Sequence, residues 1–190
     1  DGSGITAETD LVVVSTAIEP TVTEVIKARE MNIPILKRSE VLAMISNSKK
    51  TIAVGGTSGK STTAAMLFNI LQRGEKQPGI ISGAGLVSIM REGKIGNAWV
   101  GDNDGWLIIE ADESDGSFLQ LGAFAGIVTN VEADHLDYWG TLEAVERGFD
   151  EFAEGIGSRG GFIVICQDDP GAAALARRAR AAGVEVHTYG

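Results

Sequence analysis

The sequence has little that would place it in a membrane, on nucleic acid or outside the cell. Its single cysteine, Cys166, cannot form an internal disulfide, and no apolar run approaches the roughly 18 residues that span a bilayer. Its 16 basic against 26 acidic residues, a net charge of −10, argue against a nucleic-acid-binding surface. The first ten residues are polar and acidic, unlike a signal peptide. We therefore expect a cytoplasmic protein and, because the chain opens on Asp rather than Met, a part of a longer one.

What the sequence does contain is typical of a folded globular chain. Hydrophobic residues make up 44% and charged residues 22% of its 190 positions, enough for one large or two small cores. Short apolar runs alternate with helical stretches, which predicts an α/β fold of parallel strands and crossover helices. We predict strands at 11–14, 33–36, 51–54, 106–109, 126–129, 162–166 and 184–187.

The predicted helices are marked by apolar spacing and by end signals. They span about 20–31, 40–45, 60–72, a stretch through Leu142 and Phe152, and one that follows Asp169. Pro20 and Pro170 would each be the first residue of a helix, and Gly183 would end the last one. The polar segment 46–50 is interpreted as the linker between two domains, 1–48 and 49–190.

A glycine loop with a lysine follows the predicted strand 51–54. It reads Gly55-Gly56-Thr57-Ser58-Gly59-Lys60-Ser61-Thr62 and runs into a predicted helix. Glycines let backbone N–H groups approach phosphate oxygens, a lysine can reach the terminal phosphates, and the Ser61 hydroxyl is placed to bind Mg²⁺. The usual P-loop glycine is missing at Val54, and a plain glycine-rich turn is the alternative. The context of strand, loop and helix favours a phosphate-binding site.

Two polar segments follow predicted strands and offer metal ligands. The first, after 106–109, carries Glu110, Asp112, Glu113 and Asp115. Its place at the carboxyl end of a strand favours a ligand site over a solvated turn. We expect Asp112, Glu113 and Asp115 to be solvated surface residues. The second segment, after 126–129, carries His135 between Asp134 and Asp137, either as a metal ligand or as an ordinary surface residue.

These three segments resemble motifs of a known family, the Mur ligases. The matching runs are GGTSGKSTT from Gly55, EADESDGSF from Glu110 and VTNVEADHLDYWG from Val128. The resemblance extends to 12–18, 33–43 and 167–170, and so covers nearly the whole chain. It implies part of a Rossmann-like N-terminal domain that binds a UDP-sugar, followed by a P-loop-type, parallel-sheet ATP-binding domain that is incomplete at its C-terminal end.

The resemblance also implies an activity and site residues. Members of the family are ATP-dependent amide-forming ligases of peptidoglycan precursor synthesis, and the muramate branch acts on UDP-N-acetylmuramate, here with L-alanine expected as the amino acid. The resemblance implies that Lys60, Glu110 and His135 are the catalytic residues, with Lys60 stabilising charge on the transferred group. By resemblance, Gly56, Thr57, Ser58, Gly59, Lys60, Ser61 and Thr62 bind ATP; Ser61 and Glu110 hold one Mg²⁺; His135 holds a second; and Ser15 and Thr16 contact the UDP group.

Departures from the family pattern keep alternatives open. The muramate-branch loop usually reads GTHGKT, whereas this chain has Ser58 for the histidine and Ser61 for the threonine. A murein peptide ligase, which joins a whole peptide to the same sugar nucleotide, is one alternative. A nucleotide-binding module that does not ligate and an amide ligase acting on folate or a polypeptide are two others. The sequence does not fix the oligomeric state.

Overall fold

The computed structural model describes residues 2–90, 93–102 and 105–190, and the chain forms two compact units, 1–45 and 46–190. Within the described residues, no helix has the length and apolar character required to cross a membrane. The second unit contains the three motifs singled out above, so its sheet decides where their side chains lie.

The first unit is built around a short parallel strand pair. Strand β1 is Val12–Val14 and pairs in parallel with β2, Ile35–Lys37, with helix α1, Thr23–Glu30, between them. The prediction that this helix begins at Pro20 is wrong. Pro20 instead lies inside a turn closed by the hydrogen bond from Val22 N–H to Glu19 O, where the fixed φ of proline is also favoured.

Helix α2, Arg38–Asn47, is longer than the predicted 40–45 and enters the segment interpreted as a linker. The polar residues there make specific contacts. Ser46 is buried, its Oγ accepts the Gly122 N–H at 3.1 Å, and its backbone oxygen accepts the Thr51 hydroxyl at 2.8 Å. Only residues 48 and 49 therefore separate α2 from the next strand.

The described residues of the second unit form a seven-stranded sheet in the order β5-β4-β6-β3-β7-β8-β9. All neighbours pair in parallel except β5, which is antiparallel to β4. The α/β fold with a mostly parallel sheet is therefore confirmed. The strands are β3 Lys50–Gly55, β4 Gly79–Ile81, β5 Ala98–Trp99, β6 Trp106–Glu110, β7 Ala123–Val128, β8 Phe162–Cys166 and β9 Glu185–Tyr189.

Helices connect these strands and cover the sheet. They are α3 Lys60–Arg73, α4 Val87–Met90, α5 Leu136–Trp139, α6 Leu142–Gly157 and α7 Pro170–Ala181, with a 3₁₀ turn at Ser117–Gln120. The end signals predicted for α7 are confirmed: Asp169 caps it by accepting the Ala172 N–H at 2.7 Å, Pro170 is its first residue, and Gly183 follows its end with φ +83°.

The two long helices α3 and α6 pack on opposite faces of the sheet. Val54 of β3 lies in a buried cluster with Ala64 and Phe68 of α3. The next residue, Gly55, faces the other way, since a β-carbon there would lie 3.4 Å from the ring of Phe149 on α6. Successive residues of a strand alternate between faces, so the sheet is covered on both sides.

The strand order creates a switch point at the centre of the sheet. From β3 the chain goes to β4 and the edge strand β5 on one side, returns to β6 beside β3, and then crosses to β7 on the other side of β3. In open parallel sheets, ligands bind beyond the carboxyl ends of the strands at such a point. The loops that leave β3, β6 and β7 carry the glycine loop, the acidic run and the histidine segment, and they meet there.

Candidate functional site

The glycine loop leaves β3 through two glycines that adopt left-handed backbone angles. Gly56 has φ +125° and Gly59, which precedes α3, has φ +86°. Other residues adopt such angles only at a cost, so the glycines are required by the turn. A β-carbon at Gly56 would also overlap Thr129 Oγ1. The chain can therefore turn sharply from strand to helix directly beside the loop that follows β7.

The loop after β7 holds the glycine loop in shape. Asn130 accepts the Ser58 N–H through its Oδ1 at 2.8 Å and the Thr57 N–H through its backbone oxygen at 3.3 Å. The Thr129 hydroxyl donates to Ser58 O at 2.6 Å, and Thr57 Oγ1 accepts the Glu132 N–H at 3.0 Å. Two of the N–H groups expected to face phosphate, those of Thr57 and Ser58, therefore contact Asn130.

The first turn of α3 provides donors that the helix itself does not use. Its first internal hydrogen bond runs from Thr63 N–H to Gly59 O at 2.9 Å, so the N–H groups of Lys60, Ser61 and Thr62 precede the helical ladder. Together with the positive end of the helix dipole, such groups attract anions. The helix start can therefore hold a phosphate group.

Lys60 lies over the loop and pairs with a buried carboxylate. Its Nζ donates to Gly56 O at 2.8 Å and lies 2.9 and 3.1 Å from the two carboxylate oxygens of Glu113. Only 1% of the Glu113 side chain is exposed, so the expectation that the acidic run beyond Glu110 is solvated is wrong for this residue. The loop after β6 turns this carboxylate inward, where the lysine neutralises it.

Ser61 and Glu110, which were predicted to share a metal ion, are in direct contact. The Ser61 hydroxyl donates to Glu110 Oε2 at 2.9 Å. The other oxygen, Oε1, accepts the Ser82 hydroxyl at 2.6 Å and the Gly83 N–H at 2.8 Å. Sequence reasoning missed Ser82, which follows the three-residue strand β4. An oxygen pair of this kind suits Mg²⁺, which prefers carboxylate and hydroxyl ligands.

His135 belongs to a second group, which includes Glu113. Ligand atoms of Glu113, Asp134 and His135 lie within 4.8 Å of one another, while Asp137 is exposed. His135 has a left-handed backbone (φ +50°), which is uncommon outside glycine, and its N–H bonds Asp134 Oδ1 at 2.8 Å. Two carboxylates and an imidazole fit a divalent cation in chemistry and spacing. Glu113 had no role in the sequence prediction.

Trp139 fixes the Glu113 segment against the helices. Its indole N–H donates to Glu113 O at 2.8 Å, and its ring meets Phe118 edge-on at a centroid distance of 6.3 Å. The ring also lies so close to Gly148 of α6 that a β-carbon there would lie 2.6 Å from it. Because α5 begins directly after His135, one aromatic residue connects the acidic run to the histidine segment.

A cleft of about 440 Å³ opens beside the start of α3. Ser61, Thr62 and Met66 of the helix line one side, and Leu86 and Ser88 line the other. The predicted UDP contacts, Ser15 and Thr16, belong to the first unit, where they are exposed just after β1. The cleft adjoins Ser61 and Thr62, two of the predicted phosphate-binding residues.

Comparison with known proteins shows the family. Residues 54–190 match the model of the Mur ligase middle domain, well over half of the chain. The chain belongs to the Mur ligase family. The Mur ligase middle domain thus coincides with the part of the second unit that carries the glycine loop, the acidic run and His135.

Individual relatives agree with this assignment. The chain is 44% identical over 181 residues to a UDP-N-acetylmuramate–L-alanine ligase of Kineococcus radiotolerans, covering 95% of this chain and 37% of that protein. Among solved Mur ligases, MurC of Thermotoga maritima has a TM-score of 0.75 at 28% identity, with 87% and 37% of the two chains covered. A murein peptide ligase of Psychrobacter arcticus has a TM-score of 0.71 at 26% identity, with 95% and 40% covered. The chain spans about a third of the length of the curated relatives it matches.

Proposed function

We propose that this chain holds the ATP site of a ligase that joins L-alanine to the carboxylate of UDP-N-acetylmuramate in peptidoglycan precursor synthesis. The observation that carries the proposal is the meeting of Lys60, Ser61 and Glu110 at the start of α3, in a chain 44% identical to such a ligase. In this reaction the carboxylate is first phosphorylated by ATP, and the amine then replaces phosphate to form the amide.

The residues of the chain have distinct tasks in the first step. The α3 N–H groups and the loop from Gly56 to Thr62 bind the phosphates, apart from the Thr57 and Ser58 N–H groups, which donate to Asn130. Lys60 neutralises charge on the transferred group. Phosphoryl transfer depends mainly on positioning and charge stabilisation, which fixed amides and a lysine provide. The carboxylate substrate would enter through the cleft next to Ser61, because it must reach the phosphoryl group in line.

Two groups of residues would hold Mg²⁺. Ser61 and Glu110 form one, and His135 with Glu113 and Asp134 forms the other. Bound there, Mg²⁺ would supply positive charge to the phosphate oxygens, because the chain itself has a net negative charge. Ser82 and the Gly83 N–H fix the Glu110 carboxylate from behind. Glu110 would therefore keep its orientation when the Ser61 hydroxyl turns from Glu110 to Mg²⁺.

The domain assignment and the location in the cell belong to the same proposal. Residues 1–48 would be the C-terminal part of the UDP-sugar-binding domain, with Ser15 and Thr16 near the UDP group, and residues 49–190 the central ATP-binding domain. The activated sugar nucleotide, ATP and amino acid are cytoplasmic compounds, so we place the enzyme in the cytoplasm.

The nucleotide site can be tested on this chain directly. Calorimetric titration with MgATP should show binding that Lys60→Ala weakens at least tenfold, because a charge-assisted contact with phosphate is lost. Lys49→Ala removes the same charge outside the loop and is the matched control. Equal MgATP affinity of the Lys60→Ala and unmodified chains would contradict the phosphate site. It would also contradict the alternative of a nucleotide-binding module that does not ligate.

The ligase reaction needs the full-length protein that contains this chain. Phosphate release from ATP should require both UDP-N-acetylmuramate and an amino acid, with L-alanine the best of a panel. Release that is independent of the sugar nucleotide would contradict the proposal.

A murein peptide ligase is the second candidate. The structural likeness to the Psychrobacter protein supports it, and Ser58 departs from the histidine of the usual muramate-branch loop. The same assay separates the two, since a peptide ligase would accept a tripeptide or longer peptide and reject free L-alanine.

A further inference from the structure

More hydrogen-bond acceptors surround the Lys60 ammonium group than it has N–H donors. Its Nζ lies 2.8 Å from Gly56 O, 3.4 Å from Thr57 O, and 2.9 and 3.1 Å from the Glu113 carboxylate oxygens. An ammonium group has three N–H donors, so these four oxygens can occupy all of them. A phosphate oxygen can bind Lys60 only by replacing one of the acceptors.

Glu113 is the acceptor that an incoming phosphate would displace. The Gly56 and Thr57 oxygens belong to the glycine loop, which Asn130 fixes by two hydrogen bonds. The Glu113 carboxylate, in contrast, is the end of a flexible side chain and carries the same sign of charge as phosphate. Two anions around one lysine repel each other, so the phosphate and Glu113 compete for Lys60.

The displaced carboxylate needs another cation. Glu113 is 1% exposed, and a buried carboxylate without a counter-charge is strongly unfavourable. Asp134 and His135 have ligand atoms within 4.8 Å of its oxygens. A divalent cation bound by these three residues would replace Lys60 as the partner of Glu113.

We propose that Glu113 is an exchangeable counter-charge. It holds Lys60 while the site is empty of nucleotide, and it moves to a divalent cation shared with Asp134 and His135 when phosphate takes Lys60. The proposal rests on the proposed function, because it requires phosphate at Lys60. Because of Glu113, phosphate would bind tightly to Lys60 only when the divalent cation is also bound.

Metal-free tripolyphosphate is the decisive probe. In calorimetry with EDTA, Glu113→Gln should bind tripolyphosphate about tenfold or more tightly than the unmodified chain, because the competing charge is gone while the shape is kept. Adding Lys60→Ala should abolish this gain. Glu132→Gln removes an exposed carboxylate near the same loop and should change the affinity by less than about twofold, as a surface charge does.

The effect of Mg²⁺ on tripolyphosphate affinity provides a second measurement. Adding Mg²⁺ should strengthen tripolyphosphate binding to the unmodified chain more than to Glu113→Gln. Asp134→Asn, a substitution of an exposed residue, should reduce this gain from Mg²⁺ several-fold.

The outcomes separate this proposal from the proposed function. If Glu113→Gln binds metal-free tripolyphosphate no better than the unmodified chain, or more weakly, Glu113 does not compete with phosphate and the exchange is refuted. A full Mg²⁺ gain in Asp134→Asn refutes the cation half of the proposal. If Lys60→Ala changes no affinity in any background, the phosphate site itself is absent, and the proposed function fails first.

Discussion

At the scale of single residues, Gly56 has little room for any other side chain. Its φ of +125° is unfavourable for other residues, and an added β-carbon would overlap Thr129 Oγ1. We expect Gly56→Ala to lower the free energy of unfolding by about 2–4 kcal/mol, from backbone strain and the forced shift of Thr129. Urea unfolding followed by tryptophan fluorescence measures this loss.

Gly160→Ala is the matched control for Gly56→Ala. Gly160 also has a positive φ, +68°, but a β-carbon there would meet nothing within 4 Å. The control therefore carries the backbone strain without the collision and should cost about 1 kcal/mol. If the two substitutions destabilise equally, the close approach of the two loops contributes nothing.

Ser61 separates metal binding from phosphate binding. We expect Ser61→Ala to weaken MgATP binding about tenfold, because the ligating hydroxyl is lost, and to leave metal-free tripolyphosphate binding unchanged. Ser61→Thr keeps the hydroxyl and should retain MgATP affinity. Calorimetry on the three chains measures both ligands. Equal weakening of the two ligands by Ser61→Ala would mean that Ser61 contacts phosphate rather than metal.

Sequence patterns predicted some of these residues and missed others for a physical reason. Lys60 and Ser61 have fixed positions in a loop between a strand and a helix, so their direction follows from the local structure. Glu113 lies in an irregular loop with two other carboxylates, Asp112 and Asp115, where no period shows which side chain turns inward. Its burial depends on Trp139 and Lys60, both distant in sequence. The sequence therefore contains no indication that Lys60 has a buried carboxylate partner.

At the scale of elements, Asp169 joins a helix to the site. Its Oδ1 accepts the Ala172 N–H at 2.7 Å, which caps α7, and the Val131 N–H at 3.0 Å, which lies in the loop after β7. We expect Asp169→Ala to cost about 2–3 kcal/mol, the sum of a lost helix cap and a lost charge-assisted hydrogen bond. Urea unfolding measures the loss, and hydrogen exchange at Val131 should accelerate.

Two substitutions test whether this capping interaction causes the effect. Asp169→Asn keeps an acceptor oxygen and should retain most of the stability. Asp168→Ala removes the same charge from the neighbouring exposed residue and should change the stability by less than about 0.5 kcal/mol. A loss in Asp168→Ala as large as that in Asp169→Ala would point to net charge instead of the cap.

Element prediction succeeded where apolar runs were long and failed where they were short. The run 162–166 and the caps of α7 were predicted as they occur. Strands β4 and β5 lie in apolar runs of only two and three residues and were missed, whereas the equally short β1 and β2 lie in the runs 11–14 and 33–36 and were predicted. Because β4 was missed, Ser82, which follows it and donates a hydrogen bond to Glu110, was not predicted as a site residue.

At the scale of the whole molecule, the parallel sheet gathers residues that are far apart in sequence. Lys60, Glu113 and His135 follow the strands β3, β6 and β7, and β3 lies between the other two in the sheet. Lys60 and His135 are nevertheless 75 positions apart in the sequence. Sequence could predict that their strands end at one edge. It could not predict that Glu113 pairs with Lys60 and lies beside His135, since this depends on how two irregular loops pack on Trp139.

Nucleotide binding should therefore stabilise the two units unequally. The phosphate and metal residues all belong to 46–190, so MgADP at 100 times its Kd should stabilise this unit by up to about 2.7 kcal/mol, or roughly 100-fold slower exchange at amides that open only on unfolding. Residues 12–37 should exchange at unchanged rates. Hydrogen exchange with mass spectrometry measures both regions in one sample, and Lys60→Ala under the same nucleotide concentration is the control. Equal protection of 12–37 would show that binding involves the first unit too, and that the site is larger than the loops after β3, β6 and β7.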